Sequence, residues 1–180
     1  DILPGSDKAT LTLENGKTII LDNKGNDTSI NGQLRILQKQ GEIEYSEGAS
    51  EGPLAYHVLT IPKKGQYKLV LPDGSKVWLN AASSIRYPIA FTDNERKVYV
   101  SGAAYFEVAK DKTKPFRVAA NDMLVEALGT AFNINAYGDE PIVSATLLEG
   151  SILVTKGTAE NVLKPGQQAK LSGNNMTVVN

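Results

Sequence analysis

Tyr67-Lys68-Leu69-Val70-Leu71-Pro72-Asp73-Gly74-Ser75-Lys76-Val77-Trp78-Leu79 holds two short apolar runs on either side of a Pro-Asp-Gly turn. Tyr67, Leu69 and Leu71 alternate with their neighbours, the period of a strand with one buried face, and Val77-Trp78-Leu79 answers them across the turn. The same device occurs earlier. Leu11-x-Leu13-x-x-Gly16-x-x-Ile19-Ile20-Leu21 matches Leu69-x-Leu71-x-x-Gly74-x-x-Val77-Trp78-Leu79 position for position. There Ala9, Leu11 and Leu13 alternate up to Asn15-Gly16, a pair suited to a type I′ turn, whose two central residues want positive φ. A looser relative reads at Leu148-Glu149-Gly150-Ser151-Ile152. A recurring hairpin predicts stacked units, as in a sandwich or a short twisted solenoid.

Outward from these hairpins the pattern stays that of short strands. Ile85, Tyr87, Ile89 and Phe91 share one face, and Pro88 between them predicts an edge or a bulge, because proline cannot donate to a ladder. Further strands are expected at Val98–Val100, Tyr105–Val108, Phe116–Val118, Phe132–Ala136, Ile142–Leu148, Ile152–Val154 and Gln168–Leu171. Met123–Leu128 has a composition that also suits a helical turn; the clean alternation of Phe132, Ile134 and Ala136 beside it favours strand. The sum is an all-β fold: stacked short antiparallel strands and hairpins forming a twisted β-sandwich or a short β-solenoid-like domain. Gly, Glu and Ser concentrate at Gln40–Pro53, which divides an N-terminal β region with its hairpin (1–52) from a larger β domain (53–180), the two packed as one continuous unit.

The 180 residues suffice to bury a core without staples: a chain of this size covers roughly 70% of its unfolded surface. Charges nearly cancel, with 19 Lys and Arg against 20 Asp and Glu, so no basic face of the kind that neutralises nucleic-acid phosphates is expected. The basic residues Lys63-Lys64, Arg96-Lys97, and Lys110 to Arg117 are scattered among acids and prolines. With no Cys and one His, thiol chemistry, cysteine metal sites and most histidine metal sites are excluded. No apolar run approaches a membrane span. Asp1-Ile2-Leu3-Pro4-Gly5 has no signal-peptide character, so the chain reads as an internal or mature portion, with any anchor outside it.

Catalytic constellations are equally thin. No Gly-x-Ser-x-Gly elbow is present, and His57 is the only imidazole base; between Tyr56 and Val58 it reads as an ordinary hydrogen-bonded histidine. Glu107, Glu126 and Glu149 lie near apolar residues, as a glycosidase pair would, yet alternating strands place carboxylates on solvent faces routinely. Asp22-Asn23-Lys24-Gly25-Asn26-Asp27 is rich in oxygen but lacks the spaced acids and bidentate Glu of a calcium loop, and reads as a polar surface loop. Gly102 and Gly129 stand alone, without a phosphate loop around them. Trp78 points away from Val77 and Leu79, where it would pack on the sheet or stack on a sugar; Ile20 at the echo position favours packing. Tyr105 and Phe106 leave opposite faces of one strand and read as two-sided burial. No catalytic residue, metal ligand or cofactor is assigned, and the binding surface stays open. The residues describe a non-catalytic all-β module.

Taken in order, these motifs resemble the periplasmic portion of FecR-type anti-sigma factors. The resemblance is carried by Leu71-Pro72-Asp73-Gly74-Ser75-Lys76-Val77-Trp78-Leu79-Asn80, Ser83-Ser84-Ile85-Arg86-Tyr87-Pro88, and Ser101-Gly102-Ala103-Ala104-Tyr105-Phe106-Glu107-Val108. It continues through Lys114-Pro115-Phe116-Arg117-Val118, Leu128-Gly129-Thr130-Ala131-Phe132-Asn133-Ile134, Leu148-Glu149-Gly150-Ser151 and Leu163-Lys164-Pro165-Gly166-Gln167. Ala103 stands where the family usually carries Glu.

The resemblance implies a periplasmic signal-relay domain, anchored to the inner membrane by a single upstream helix that this chain does not contain. In such proteins the sensor meets the N-terminal signalling domain of a substrate-loaded TonB-dependent outer-membrane transporter. A cytoplasmic domain, also absent here, holds an extracytoplasmic-function sigma factor that is then released. No nucleic acid and no direct membrane contact are implied for this portion. A small α/β signalling-like domain often follows in the family, beyond Asn180. Exposed strand edges suggest contact by strand addition. The alternative from the residues is a carbohydrate-binding β module centred on Trp78.

Overall fold

The computed structural model describes residues 8–21, 28–30, 34–39, 41–45 and 55–180, and every structural statement below concerns those residues. They form strands and turns without a helix. The chain distributes its strands between two sheets, here A and B. The first hairpin, β1 (Thr10–Thr12) and β2 (Thr18–Ile20), belongs to A. Next, β3 (Thr28–Ile30), β4 (Leu34–Lys39) and β5 (Glu42–Tyr45) belong to B, and β6 (Tyr56–Thr60) returns to A. The hairpin β7 (Tyr67–Val70) and β8 (Lys76–Leu79) lies in B, and β9 (Ser84–Pro88) in A. The long strand β10 (Arg96–Glu107) belongs to both.

Beyond it the alternation becomes regular. The hairpin β11 (Phe116–Ala120) and β12 (Met123–Ala127) joins A, and β13 (Ala131–Ala136) with β14 (Val143–Glu149) joins B. Then β15 (Ile152–Lys156) and β16 (Ala159–Leu163) extend A, and β17 (Gln168–Ser172) with β18 (Asn175–Val179) extends B. Sheet A therefore runs β2-β1-β6-β9-β10-β11-β12-β15-β16, and sheet B runs β3-β4-β5-β7-β8-β10-β13-β14-β17-β18. This is the stacked all-β architecture expected from the recurring hairpins. The inward residues of both sheets meet in one core. Phe106 stacks on Phe132 with centroids 5.0 Å apart and meets Phe116 of sheet A edge-on at 6.0 Å.

Of the Met123–Leu128 stretch, Met123–Ala127 is strand and Leu128 lies in the bend after it; the hairpin turns at Asn121 with a φ of 51°. Several expectations are corrected. The two matching hairpins close not by type I′ turns but by three-residue loops, with only the glycine at positive φ. In the first, Gly16 N–H donates to Leu13 O at 2.9 Å; in the second, Gly74 N–H donates to Leu71 O at 2.9 Å, with φ values of 82° and 85°. That is a type I turn closed by a left-handed glycine, which Pro72 at its second position suits. The looser relative at Leu148–Ile152 is no hairpin: it carries the chain from β14 in sheet B to β15 in sheet A, turning at Gly150.

Val98–Val100 and Tyr105–Val108 are not separate strands but parts of β10. Up to Ser101 it pairs with β9 in sheet A; from Gly102 it pairs with β13 and, from Ala104, with β8 in sheet B. Pro88 marks a local edge rather than a bulge: at that position β9 pairs on one side only. It ends β9, an interior strand between β6 and β10, beyond the last β10 pair at Arg86, so β10 needs no donor from it. Two pairings, β10 with β11 and β5 with β7, are parallel rather than antiparallel. Of Gln40–Pro53, residues Glu42–Tyr45 form β5, and 46–53 lie outside the described residues.

Candidate functional site

Each residue singled out above has a definite place. His57 is buried at 2% exposure, on the inner face of β6. Its Nδ1 lies 2.8 Å from the Tyr45 hydroxyl of sheet B, which lies 2.5 Å from that of Tyr87 in sheet A. A neutral imidazole satisfies this chain in either tautomer, with the Tyr45 hydroxyl accepting from one neighbour and donating to the other. Burial pushes the His57 pKa down to about 4, against a smaller upward pull from Glu14. Burial likewise holds both tyrosine hydroxyls above their usual range. The trio is a buried strut between sheets, not a base presented to a substrate.

A pH dependence follows. The unfolded chain protonates His57 near 6.5, whereas the folded chain resists down to about 4. The neutral imidazole's contribution is therefore whole above pH 6.5 and falls by roughly 1.4 kcal/mol per pH unit until about pH 4. His57→Gln, which has no titrating group, is expected to lose less stability across that window. Urea unfolding of both proteins between those pH values measures the difference; parallel curves would contradict it.

The three glutamates separate into two places. Glu126 lies on the outer face of sheet A, where Arg117 bridges it at 2.9 Å and Glu95 at 2.6 Å. Glu107 and Glu149 line one open groove of about 410 Å³ on sheet B, with Lys76, Tyr105 and Lys110. They sit on β10 and β14, with Ala131 of β13 between them in register, so their backbones are about 10 Å apart. Both are exposed, whereas the acid of a glycosidase pair is enclosed in an apolar pocket. Tyr105 lies on this outer face rather than in the core, and donates to Glu107 Oε1 at 3.2 Å.

Trp78 also stands on the outer face of sheet B, half-buried, while Val77 and Leu79 are wholly inside. Its cross-strand neighbours flank the ring. Tyr105 tilts against it at 5.3 Å, and the Lys68 ammonium lies 5.4 Å from its centroid, itself 3.3 Å from Glu42. This contact set supports the packing role. Asp22–Asp27 lies outside the described residues.

The sequence reading missed the strongest polar centre. Arg96 reads as half of a basic pair, yet its side chain is 1% exposed. It donates from Nη1 to Asp73 Oδ2 at 2.7 Å and to Ala109 O at 2.8 Å, and from Nε to Lys114 O at 2.9 Å. Asp73 in turn accepts from the Ser75 hydroxyl at 2.7 Å, and Ser75 Oγ accepts from Ala109 N–H at 2.9 Å. The Pro-Asp-Gly-Ser turn is thus tied to the loop after β10. Its only sequence signal is an acid in a turn and an arginine opening a strand.

Among the described residues the sheets end in open ladders, at β2 and β16 in A and at β3 and β18 in B. Val162 on β16 is 64% exposed, and Val178 and Val179 on β18 are exposed as well.

A family model described as FecR protein matches residues 57–153, from β6 to β15. No curated protein sequence matches the chain. Two crystal structures assigned as an anti-sigma factor from Parabacteroides distasonis are similar. One is 30% identical with a TM-score of 0.66, over 69% of this chain and 58% of that one. The other is 30% identical with a TM-score of 0.65, over 68% of this chain and 57% of that one. The chain thus spans less than three fifths of either structure's length.

Proposed function

Because the chain belongs to the FecR protein family, we propose that it is the signal-relay portion of an anti-sigma factor, lying in the periplasm and tethered through a helix outside the chain. The family match across the central strands carries this reading, since the solved relatives are assigned as anti-sigma factors. The family is of a regulatory rather than an enzymatic kind. The partner is the N-terminal signalling domain of a TonB-dependent transporter, and the output is control of an extracytoplasmic-function sigma factor. No helix among the described residues is long and apolar enough to cross a membrane.

Open ladder edges support a contact made by strand addition, because unpaired N–H and C=O groups are ready templates for another chain. Calorimetric titration with the signalling domain of the transporter encoded beside this protein is expected to give saturable 1:1 binding, absent with an unrelated transporter's domain. Proline placed at successive positions of the four edge strands β2, β3, β16 and β18 is expected to abolish that binding at one of them. Absence of binding by the unaltered chain would reject the transporter as partner; binding that no edge proline weakens would reject strand addition.

A further inference from the structure

The outer face of sheet A carries a cluster that the reading above leaves unused. Arg86 projects from β9 between tyrosines on the strands at either side. Its guanidinium carbon lies 4.1 Å from the Tyr56 ring centroid and 5.4 Å from that of Tyr99, its direct cross-strand partner. Lys97 reaches the same Tyr99 ring from the next outward position of β10, with Nζ 5.4 Å from the centroid. Arg96 and Arg117 both form ion pairs with carboxylates, whereas among the described residues none lies within ion-pair distance of Arg86 or Lys97. Glu95 and Asp93 both line the adjoining cleft, and Arg117 is shared between Glu95 and Glu126. The cleft holds about 100 Å³ and is bounded by Tyr56, Pro88, Phe91 and Tyr99.

Stacking on aromatic rings fixes a guanidinium's plane while leaving its in-plane donors available, the arrangement that receives a carboxylate through two parallel hydrogen bonds. Tyrosine and arginine beside a small cleft are also the residues that dominate protein interfaces. From Tyr99 the outward row passes through Ala119 and Leu124 to Thr155 and Glu160, and the row beside it runs from Lys97 through the Arg117–Glu126 ion pair to Leu153 and the exposed Val162 on edge strand β16. Two cations set against rings, with no carboxylate of the described residues within ion-pair distance, match carboxylates of a partner polypeptide. A polyphosphate would call for denser charge.

We propose that the Arg86–Tyr56–Tyr99–Lys97 cluster is a receptor for carboxylate side chains of an acidic segment on a partner protein. The partner's identity rests on the relay reading, whereas the carboxylate chemistry does not.

The test is an NMR titration of the isotope-labelled chain with a hexaglutamate peptide at low salt, followed at the Arg86 Nε–Hε resonance. A saturable shift is expected, weakened about tenfold or more by Arg86→Gln and left unchanged by Lys170→Gln on sheet B. A silent Arg86, or shifts spread evenly over surface lysines and insensitive to Arg86→Gln, would mean a merely solvated face and overturn the proposal. Oligogalacturonate shifting the same resonances more strongly than the peptide would overturn the assignment to a polypeptide. The same variants are then titrated with the transporter's signalling domain. If that domain binds the unaltered chain, and Arg86→Gln and Lys97→Gln equally well, the cluster is not its docking site and the proposal fails while the relay stands. If the domain never binds but hexaglutamate does, the relay reading fails and the carboxylate receptor stands.

Discussion

Asp73→Ala is expected to lower the unfolding free energy by about 3–5 kcal/mol, because it leaves the buried Arg96 charge without its counter-ion. The guanidinium would keep the carbonyls of Ala109, Lys114 and Asp111, the Phe116 ring face 5.4 Å away and the weaker pull of the exposed Asp111 carboxylate. Carbonyls solvate a cation but do not neutralise it, and water cannot replace Asp73 at a side chain that is 1% exposed. Asp73 also accepts from the Ser75 hydroxyl and backbone N–H, so truncation frees the turn that joins β7 to β8. Asp73→Asn preserves the shape and one acceptor and should cost less. Urea unfolding of the three proteins ranks them; a loss below about 1 kcal/mol for Asp73→Ala would show that neither the ion pair nor the Asp73 side-chain bonds set the stability of this corner.

Gly102→Ala is expected to cost about 3 kcal/mol or more, from backbone strain and overpacking together. Gly102 has a φ of 90°, and an added Cβ would sit 2.8 Å from Ser83 Cα, backbone that cannot swing aside. The same substitution at Gly16 separates the two contributions. Gly16 has a φ of 82° with nothing within 4 Å of an added Cβ, so Gly16→Ala should show only left-handed strain of about 1–2 kcal/mol. Equal losses at both positions would mean that the close approach to Ser83 is readily relieved. Thermal unfolding of the pair measures the difference.

These two sites mark how far the sequence was legible. Residues that act within a few positions of one another could be read: the alternation of Leu69 and Leu71, the glycines that close both matching loops, and the strand at Met123–Ala127. In the sequence Gly102 simply stands alone between two expected strands, Val98–Val100 and Tyr105–Val108. In the fold the glycine lets one strand bend from sheet to sheet, a use that sequence alone does not distinguish from a break. The edge strands β16 and β18 were missed because exposure on both faces erases the period of two. Arg96 and Asp73 stand 23 positions apart, and Tyr56, Arg86 and Tyr99 come from three strands. Such meetings depend on which strands lie side by side, and that order becomes visible only when the chain is followed from sheet to sheet.

The alternate delivery of hairpins to sheets A and B has an architectural consequence. From β11 onward, each pair of hairpins lengthens both sheets equally, so four strands form a module of growth. A lineage could gain or shed such modules at that end and still present two ladders of the same kind to a partner. The strand shared by both sheets has no such freedom. It is the keystone around which relatives of different length would have to agree.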